Sequence, residues 1–361
     1  MTATHFSATY REARQRFLAA ASKAGATVES HVHPLKGAEG EEIATDTALA
    51  GATDAPNLFI VSSGTHGPEG FSGSACQLAL LNDPLLQRAT DNKISVLLVH
   101  AVNPHGFSHL TRTNEDNIDL NRNFSDFSRP YPANPVYEEI HPLLVPEAWP
   151  PSAAIEEKLT AAMARLAKQR DPGVSSGQAA HPDGLFYAGT APAWSNKTAR
   201  AILRKHGAHR RHIAWIDVHT GLGPYGHGEK IFGRHSPETL ARAQAWWGRD
   251  LIVSSMAESV SPRTLGHITG MAPEECPEAA ITPTTLEYGT LPNPAVRRAL
   301  RGEAWLAGHP DAPDALRKEI RRAVRDAFYV DADDWKGMIL GQFRAFALQT
   351  INGLAAEKTS A

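Results

Sequence analysis

Two cysteines in 361 residues, Cys76 and Cys276, are too few and too far apart for a disulfide framework, and neither has a C-x-x-C partner. Cys76 falls in an apolar stretch and reads as a core thiol. An excess of charge of one sign is also missing. Lys and Arg number 36 against 39 Asp and Glu, a net charge of -3, so the chain has no global footprint for nucleic acid. The one basic cluster, Arg204-Lys205 with His209 to His212, flanks a strand and reads as a solvated helix end. No apolar run is long enough to span a bilayer, so no membrane partner is expected. The first residues, with Arg11, Glu12, Arg14 and Arg16 among apolar neighbours, form an amphipathic helix rather than a signal peptide. The expectation is a soluble, cytoplasmic protein in a reducing compartment.

Several catalytic motifs are absent too. The chain has no G-x-x-x-x-G-K-[ST] and no H-E-x-x-H, which disfavours phosphate loops and helix-type zinc proteases. Gly221 to Gly226 matches G-x-G-x-x-G after a strand, but a dinucleotide site needs that turn to open a helix. Pro224 and Gly226-His227-Gly228 oppose one.

What is present is an alternation of strands and helices, with 42% hydrophobic residues to build a core. Strands are expected at 27–34, 43–49, 57–62, 93–100, 212–218, 229–233 and 280–288. Helices are expected at 9–23, 72–81, 152–170, 195–205, 237–247, 295–308, 313–328 and 335–353, with Ser195 or Asn196 capping the fourth and Ser236 the fifth. Residues 103–107 read as a turn. Residues 110–124 fit neither period and read as loop, and 128–151 is Pro-rich with little period of its own. The fold class is α/β: one domain over 1–361, with a central mixed, largely parallel sheet, helices on both faces, and an insertion at about 125–193.

The chemistry gathers where strands end. Ser62-Ser63-Gly64-Thr65-His66-Gly67-Pro68-Glu69-Gly70 joins an apolar strand to a helix, and ligands bind at the carboxyl ends of strands in open α/β sheets. His66 and Glu69 suit zinc, with a water position left open. With 17 His and 39 acids, about two His-x-x-acid pairs arise by chance, so spacing alone decides nothing and context must. Gly64, Gly67 and Gly70 allow a tight turn and close approach to a ligand. His219 ends a second buried strand and is the candidate third ligand. Asp217 points the same way, two residues earlier, and could sit behind the imidazole. In the polar loop, Arg112, Asn121 and Arg122 suit carboxylate recognition, since a guanidinium grips a carboxylate through two parallel hydrogen bonds. Glu287 ends a β-branched strand and could move a proton. Tyr225 and Tyr288 could donate to a substrate or simply pack.

Taken in order, His66/Glu69, Arg112, Asn121-Arg122, His219 and Glu287 resemble the zinc carboxypeptidase superfamily. Thr65-His66-Gly67-Pro68-Glu69 and Asp119-Leu120-Asn121-Arg122-Asn123-Phe124 are most similar to its aspartoacylase and succinylglutamate desuccinylase branch. The resemblance implies one zinc per chain held by His66, Glu69 and His219, and Arg112 polarising the scissile carbonyl. It implies Asn121 and Arg122 as the clamp for a substrate carboxylate, and Glu287 as general base and acid. The implied activity is hydrolysis of an amide near a free carboxylate in a small molecule or short peptide, as in a carboxypeptidase. Deacylation of an N-acyl amino acid is the enzyme alternative. A zinc- or carboxylate-binding protein without turnover is the alternative of another class. The segment from Ser125 to Ala193 departs from a compact aspartoacylase core.

Overall fold

Alternate residues along each central strand belong to two different cores, so the sheet is covered on both sides. Phe59 and Val61, Val96 and Leu98, and Ala214, Ile216 and Val218 pack into one core. Leu58 and Ile60, Leu97 and Val99, and Ile213 and Trp215 pack into the other. This is the period-two alternation of a strand expressed in a double-sided sheet. The structure is a computed structural model describing residues 2–169, 173–233, 236–253 and 264–357.

Helix α1 (Tyr10–Lys23) leads into the antiparallel pair β1 (Thr27–Lys36) and β2 (Glu42–Ala50). Strand β3 (Asn57–Ser62) feeds α2 (Gly70–Leu81) and α3 (Pro84–Asp91), and β4 (Ile94–His100) feeds the short α4 (Pro104–His109). Then come α5 (Leu120–Asn123), α6 (Pro135–Leu144), α7 (Ala153–Gln169) and α8 (Trp194–Gly207). Strands β5 (His212–Tyr225) and β6 (Gly228–Phe232), helix α9 (Pro237–Trp247), strand β7 (Ile252–Val253) and helix α10 (Ala272–Glu275) follow. Strand β8 (Ala280–Gly289) and helices α11 (Asn293–Gly308), α12 (Asp314–Phe328) and α13 (Asp333–Ala356) close the described chain.

The sheet order is β1-β2-β4-β3-β5-β8-β6-β7. The centre, β4-β3-β5-β8, is parallel, and antiparallel pairs join it to β2 and β6. This is the mixed, largely parallel sheet with flanking helices expected from the sequence. Helices α1, α2, α9 and α13 contribute to one core, and α8 with residues 268–276 to the other. Helices α6 and α7 build a further cluster with Val174, Leu185 and Ala304. No helix of the described residues is long and apolar enough to cross a membrane.

Several local expectations change. Residues 103–107 are not a plain turn: the Asn103 side chain accepts from the Gly106 N–H at 2.8 Å and caps α4. Residues 110–124 are not all loop: Asp119 caps α5 through the Asn121 N–H at 3.0 Å. Nor is the segment solvated, since Asp119, Asn121, Arg122 and Asn123 are buried. The Pro-rich stretch contains α6, whose Pro135 sits in the first turn, where a missing N–H costs nothing. Ser195 and Asn196 do not cap α8: the cap position is Ala193, and the Asn196 amide instead donates to the Asn123 carbonyl at 2.8 Å. Ser236 caps α9 as expected. The helix expected over 152–170 spans Ala153–Gln169, and Arg170 lies outside the described residues. Strand β5 runs on through the G-x-G-x-x-G stretch to Tyr225, so that glycine pattern is strand and opens no helix. Both cysteines are buried and free.

Candidate metal centre and active site

Three adjacent parallel strands deliver the site at their carboxyl ends. β3 leads through Ser62 to His66, β5 carries Asp217 and His219, and β8 carries Glu287. In the β5–β8 register His219 is the Cα partner of Glu287, which sets the two residues side by side. The turn after β3 needs Gly64 for the tight turn expected from the sequence and Gly67 for a packing reason that the sequence did not reveal. Gly64 has φ +63, in the left-handed region. A Cβ on Gly67 would lie 2.0 Å from the Gly106 backbone, so that glycine admits α4 rather than a ligand.

Glu69 is the hub. Its Oε1 lies 2.8 Å from His66 Nδ1 and its Oε2 lies 2.7 Å from His219 Nδ1. The Thr220 N–H donates to Oε2 at 3.2 Å, and Arg112 donates to Oε1 at 3.2 Å. Each histidine has a second carboxylate on its other nitrogen. His66 Nε2 meets Asp119 at 3.1 Å, and His219 Nε2 meets Asp217 at 2.5 Å. Asp217 is fixed by Ser62 Oγ at 2.6 Å and Thr65 Oγ1 at 3.1 Å. His66, Glu69 and His219 can therefore offer three ligand atoms to one metal ion.

The donor set fits a divalent cation on two counts. A neutral imidazole has one N–H, yet both nitrogens of each ring face carboxylates, so each ring needs either a second proton or a cation to keep lone pairs from opposing one another. Second, among the described residues the carboxyls of Glu69, Asp119, Asp217 and Glu287 are buried beside two guanidinium groups, those of Arg112 and Arg122. Four buried carboxyls beside two guanidinium groups are costly unless protons or a cation neutralise the excess. The proton balance shows the same strain. Burial opposes a charged imidazole, yet Asp217 and Glu69 hold His219 well above the ordinary histidine value. Burial likewise opposes the Glu69 charge, but the two imidazoles keep its carboxyl below the usual range. Glu287 goes the other way: burial and the neighbouring Glu69 charge push it up to about 8. Its Oε1 accepts from the Leu222 N–H at 3.0 Å.

The sequence-nominated arginines differ in freedom. Arg112 spans Glu69 and Asp119 (Nε to Asp119 at 3.3 Å) over the Phe328 ring, and its NH2 makes no hydrogen bond among the described residues. Arg122 is buried on the Phe186 ring, and three of its five N–H donors are committed: Nε and NH2 to the Ser175 carbonyl and NH1 to the Asn121 carbonyl. Asn121 is also engaged, accepting from the Ile268 N–H at 3.0 Å with its Nδ2 3.3 Å from His219 Nε2. Tyr288 packs in the core with its hydroxyl on the Ile339 carbonyl, and Tyr225 is exposed and donates to Asp334.

Two residues escaped the sequence reading. Asp119 serves as cap, as the carboxylate behind His66 and as the anchor of Arg112 at once. Its signal was an Asp directly before the Leu-Asn-Arg-Asn turn. Glu303, buried in α11, accepts from the Arg112 N–H at 2.9 Å, the Thr113 N–H at 3.1 Å and the Thr113 hydroxyl at 3.0 Å. Nothing local in the sequence announced it.

A family model described as "Protein of unknown function (DUF2817)" matches residues 6–342. No curated protein matches the chain. Among solved structures, the carboxypeptidase A of Helicoverpa armigera matches with a TM-score of 0.44 at 16% identity, over 88% of this chain and 73% of that one. A metallo-carboxypeptidase from Burkholderia cenocepacia matches at 0.43 and 14%, over 81% and 66%. The murein-tripeptide amidase MpaA of Escherichia coli O157 matches at 0.37 and 17%, over 79% and 94%.

Proposed function

Because this chain belongs to the DUF2817 family, whose description names no reaction, we propose its function from the site: a zinc-dependent hydrolase that cleaves an amide bond next to a free carboxylate. The observation that carries the reading is the convergence of His66 Nδ1 and His219 Nδ1 on Glu69, with Arg112 and Glu287 beside them. The whole chain is read as one hydrolase domain bearing the 125–193 segment as an insertion.

Zinc held by His66, Glu69 and His219 would supply positive charge that polarises a carbonyl, acidifies a water and holds Glu287 ionised. Glu287 takes the proton of the attacking water on its carboxylate and returns it to the leaving amine. Arg112 donates to the carbonyl oxygen as it gains charge, a contribution of about 3–4 kcal/mol per donor. Asp119 and Asp217 fix the tautomer and tilt of the two imidazoles. Arg122 offers its remaining N–H donors to the substrate carboxylate, with Asn121 holding the loop. A binder without turnover has no use for Glu287 and Arg112 in this arrangement. The reading is tested with short peptides bearing a free C-terminus set against N-acyl amino acids, with and without zinc. Zinc-dependent release from the peptides supports it, and no turnover on either set overturns it.

Two variants probe the substrate side. Arg122→Lys keeps the charge but loses the planar fork. KM for a free-acid substrate is expected to rise by about tenfold or more, the cost of a charged hydrogen bond, and the preference for acid over amide substrates should shrink. An unchanged preference would remove Arg122 from the clamp. Glu303→Gln leaves the fold and the metal ligands in place but removes acceptor capacity beneath Arg112 and Thr113. It is expected to lower kcat by about tenfold at constant zinc content, from the loss of about 1–2 kcal/mol of hydrogen bonding. Equal kcat in the two proteins would show that Arg112 holds its position without Glu303.

A further inference from the structure

We propose that the chain carries a second divalent-cation site, formed by His141 of α6 with His181 and Asp183 of the loop between α7 and α8. These three side chains can each bring one ligand atom within reach of a common ion. None takes part in the site at the strand ends.

The geometry is poorly explained by hydrogen bonding. His141 Nε2 stands 3.4 Å from Asp183 Oδ2, beyond the roughly 2.7–2.9 Å of a charge-assisted bond. The other nitrogen, Nδ1, is buried without a partner. The His141 and His181 rings stack 3.9 Å apart, with Tyr137 against both at 5.7 and 5.8 Å. Two imidazoles and a carboxylate are thus packed together with almost no bonds among them. A separation of about 3.4 Å is instead the edge of a tetrahedron whose centre lies about 2.1 Å from each ligand, the bond length of zinc to nitrogen or oxygen. Two neutral nitrogens and one carboxylate form the borderline donor set that zinc takes readily, with a fourth position for water. Asp183 is half exposed, so it can close on an ion without disturbing the core.

The position gives such an ion a structural task. The loop holding His181 and Asp183 supports the wall of the strand-end site. The Pro182 and Gly184 carbonyls accept from Asn117, and the Tyr187 carbonyl accepts from the Asp119 N–H. The Ser175 carbonyl holds Arg122, and the Phe186 ring lies under it. An ion joining α6 to this loop would tie the insertion to the residues that position Asp119 and Arg122.

The test is a count of zinc on the intact chain. Protein is stripped with chelator, equilibrated with Zn2+, freed of excess by gel filtration and analysed for metal. Wild type is expected to retain two ions per chain, His181→Ala one, His219→Ala one, and the double variant none. His181 is only partly buried, so its replacement spares the fold, and Asp183→Asn provides a second, exposed change with the same expected loss. In the His219→Ala background, Zn2+ should still raise the thermal midpoint by a few degrees, and His181→Ala should abolish that increment. Retention of one ion by wild type, or equal retention by wild type and His181→Ala, overturns the second site. Failure of the strand-end site reads out separately, as a His219→Ala protein that holds as much zinc as wild type.

Discussion

Glu287→Gln protein is expected to fold, bind zinc and bind substrate, yet to turn over about 10²–10⁴-fold more slowly, the usual contribution of a positioned proton-transfer group. Glutamine keeps the shape and can still accept from the Leu222 N–H, but it cannot take a proton from water. The three proposed metal ligands are untouched. The opposing possibility is that Glu287 only stabilises the strand end as an ion-pair partner. Stability against pH separates the two. In the metal-free protein Glu287 is raised to about 8 by burial and by Glu69, above an ordinary value of 4.5. A carboxyl raised on folding contributes stability below its unfolded value, and that contribution is lost as pH rises through the folded value. From about pH 4.5 to 8, wild-type apoprotein should therefore lose a stabilising increment that Glu287→Gln does not lose. The variant's thermal midpoint should match or exceed wild type near pH 8. A fall in midpoint at pH 8 with undiminished turnover would assign Glu287 to structure and end its role as proton shuttle.

What could be read from the sequence was what sits close in sequence or repeats with a period. His66 and Glu69 are three residues apart on a strand-to-helix turn. Asp217 and His219 share a side because a strand alternates, and the structure places their side chains 2.5 Å apart. The buried strands announced themselves as apolar runs, and the two-sided alternation of their packing followed from the same period. Contacts across long sequence separations stayed hidden. Asp119 meets His66 across 53 positions, and Glu303 meets the Arg112 and Thr113 amides across about 190. Neither pairing leaves a periodic trace. Arg122 shows a different limit. Its residue type announced a carboxylate fork, but what that fork already holds is the Ser175 carbonyl, in a Gly-rich loop whose path no local signal specified. Likewise the glycines of the opening turn were legible as glycines. That Gly67 makes room for Gly106 required the position of α4.

Replacing His66 or His219 with alanine is expected to remove the ion at the strand ends, lowering the metal count by one per chain and abolishing turnover. The reason lies in how few donors the site has. Three protein ligands suffice for a catalytic zinc only because the fourth position is left to water, so losing one leaves two, too few to retain zinc against chelator. The carboxylates behind the rings should show a graded effect. Asp217→Asn and Asp119→Asn keep all three ligands but weaken the hold on the imidazoles, and each is expected to cost about 10–100-fold in metal affinity. The charge balance predicts the accompanying change in stability. With Glu69, Asp119 and Asp217 buried together, binding of a dication adds its free energy to the folded state only. Chelation should lower the wild-type thermal midpoint and added zinc should restore it, whereas in His219→Ala the contribution of this site should vanish. Elemental analysis, circular dichroism and the midpoint measured on one preparation distinguish metal loss from misfolding. Folded His66→Ala and His219→Ala proteins that keep the full wild-type complement of zinc would place the catalytic ion elsewhere and remove the basis of the hydrolase reading.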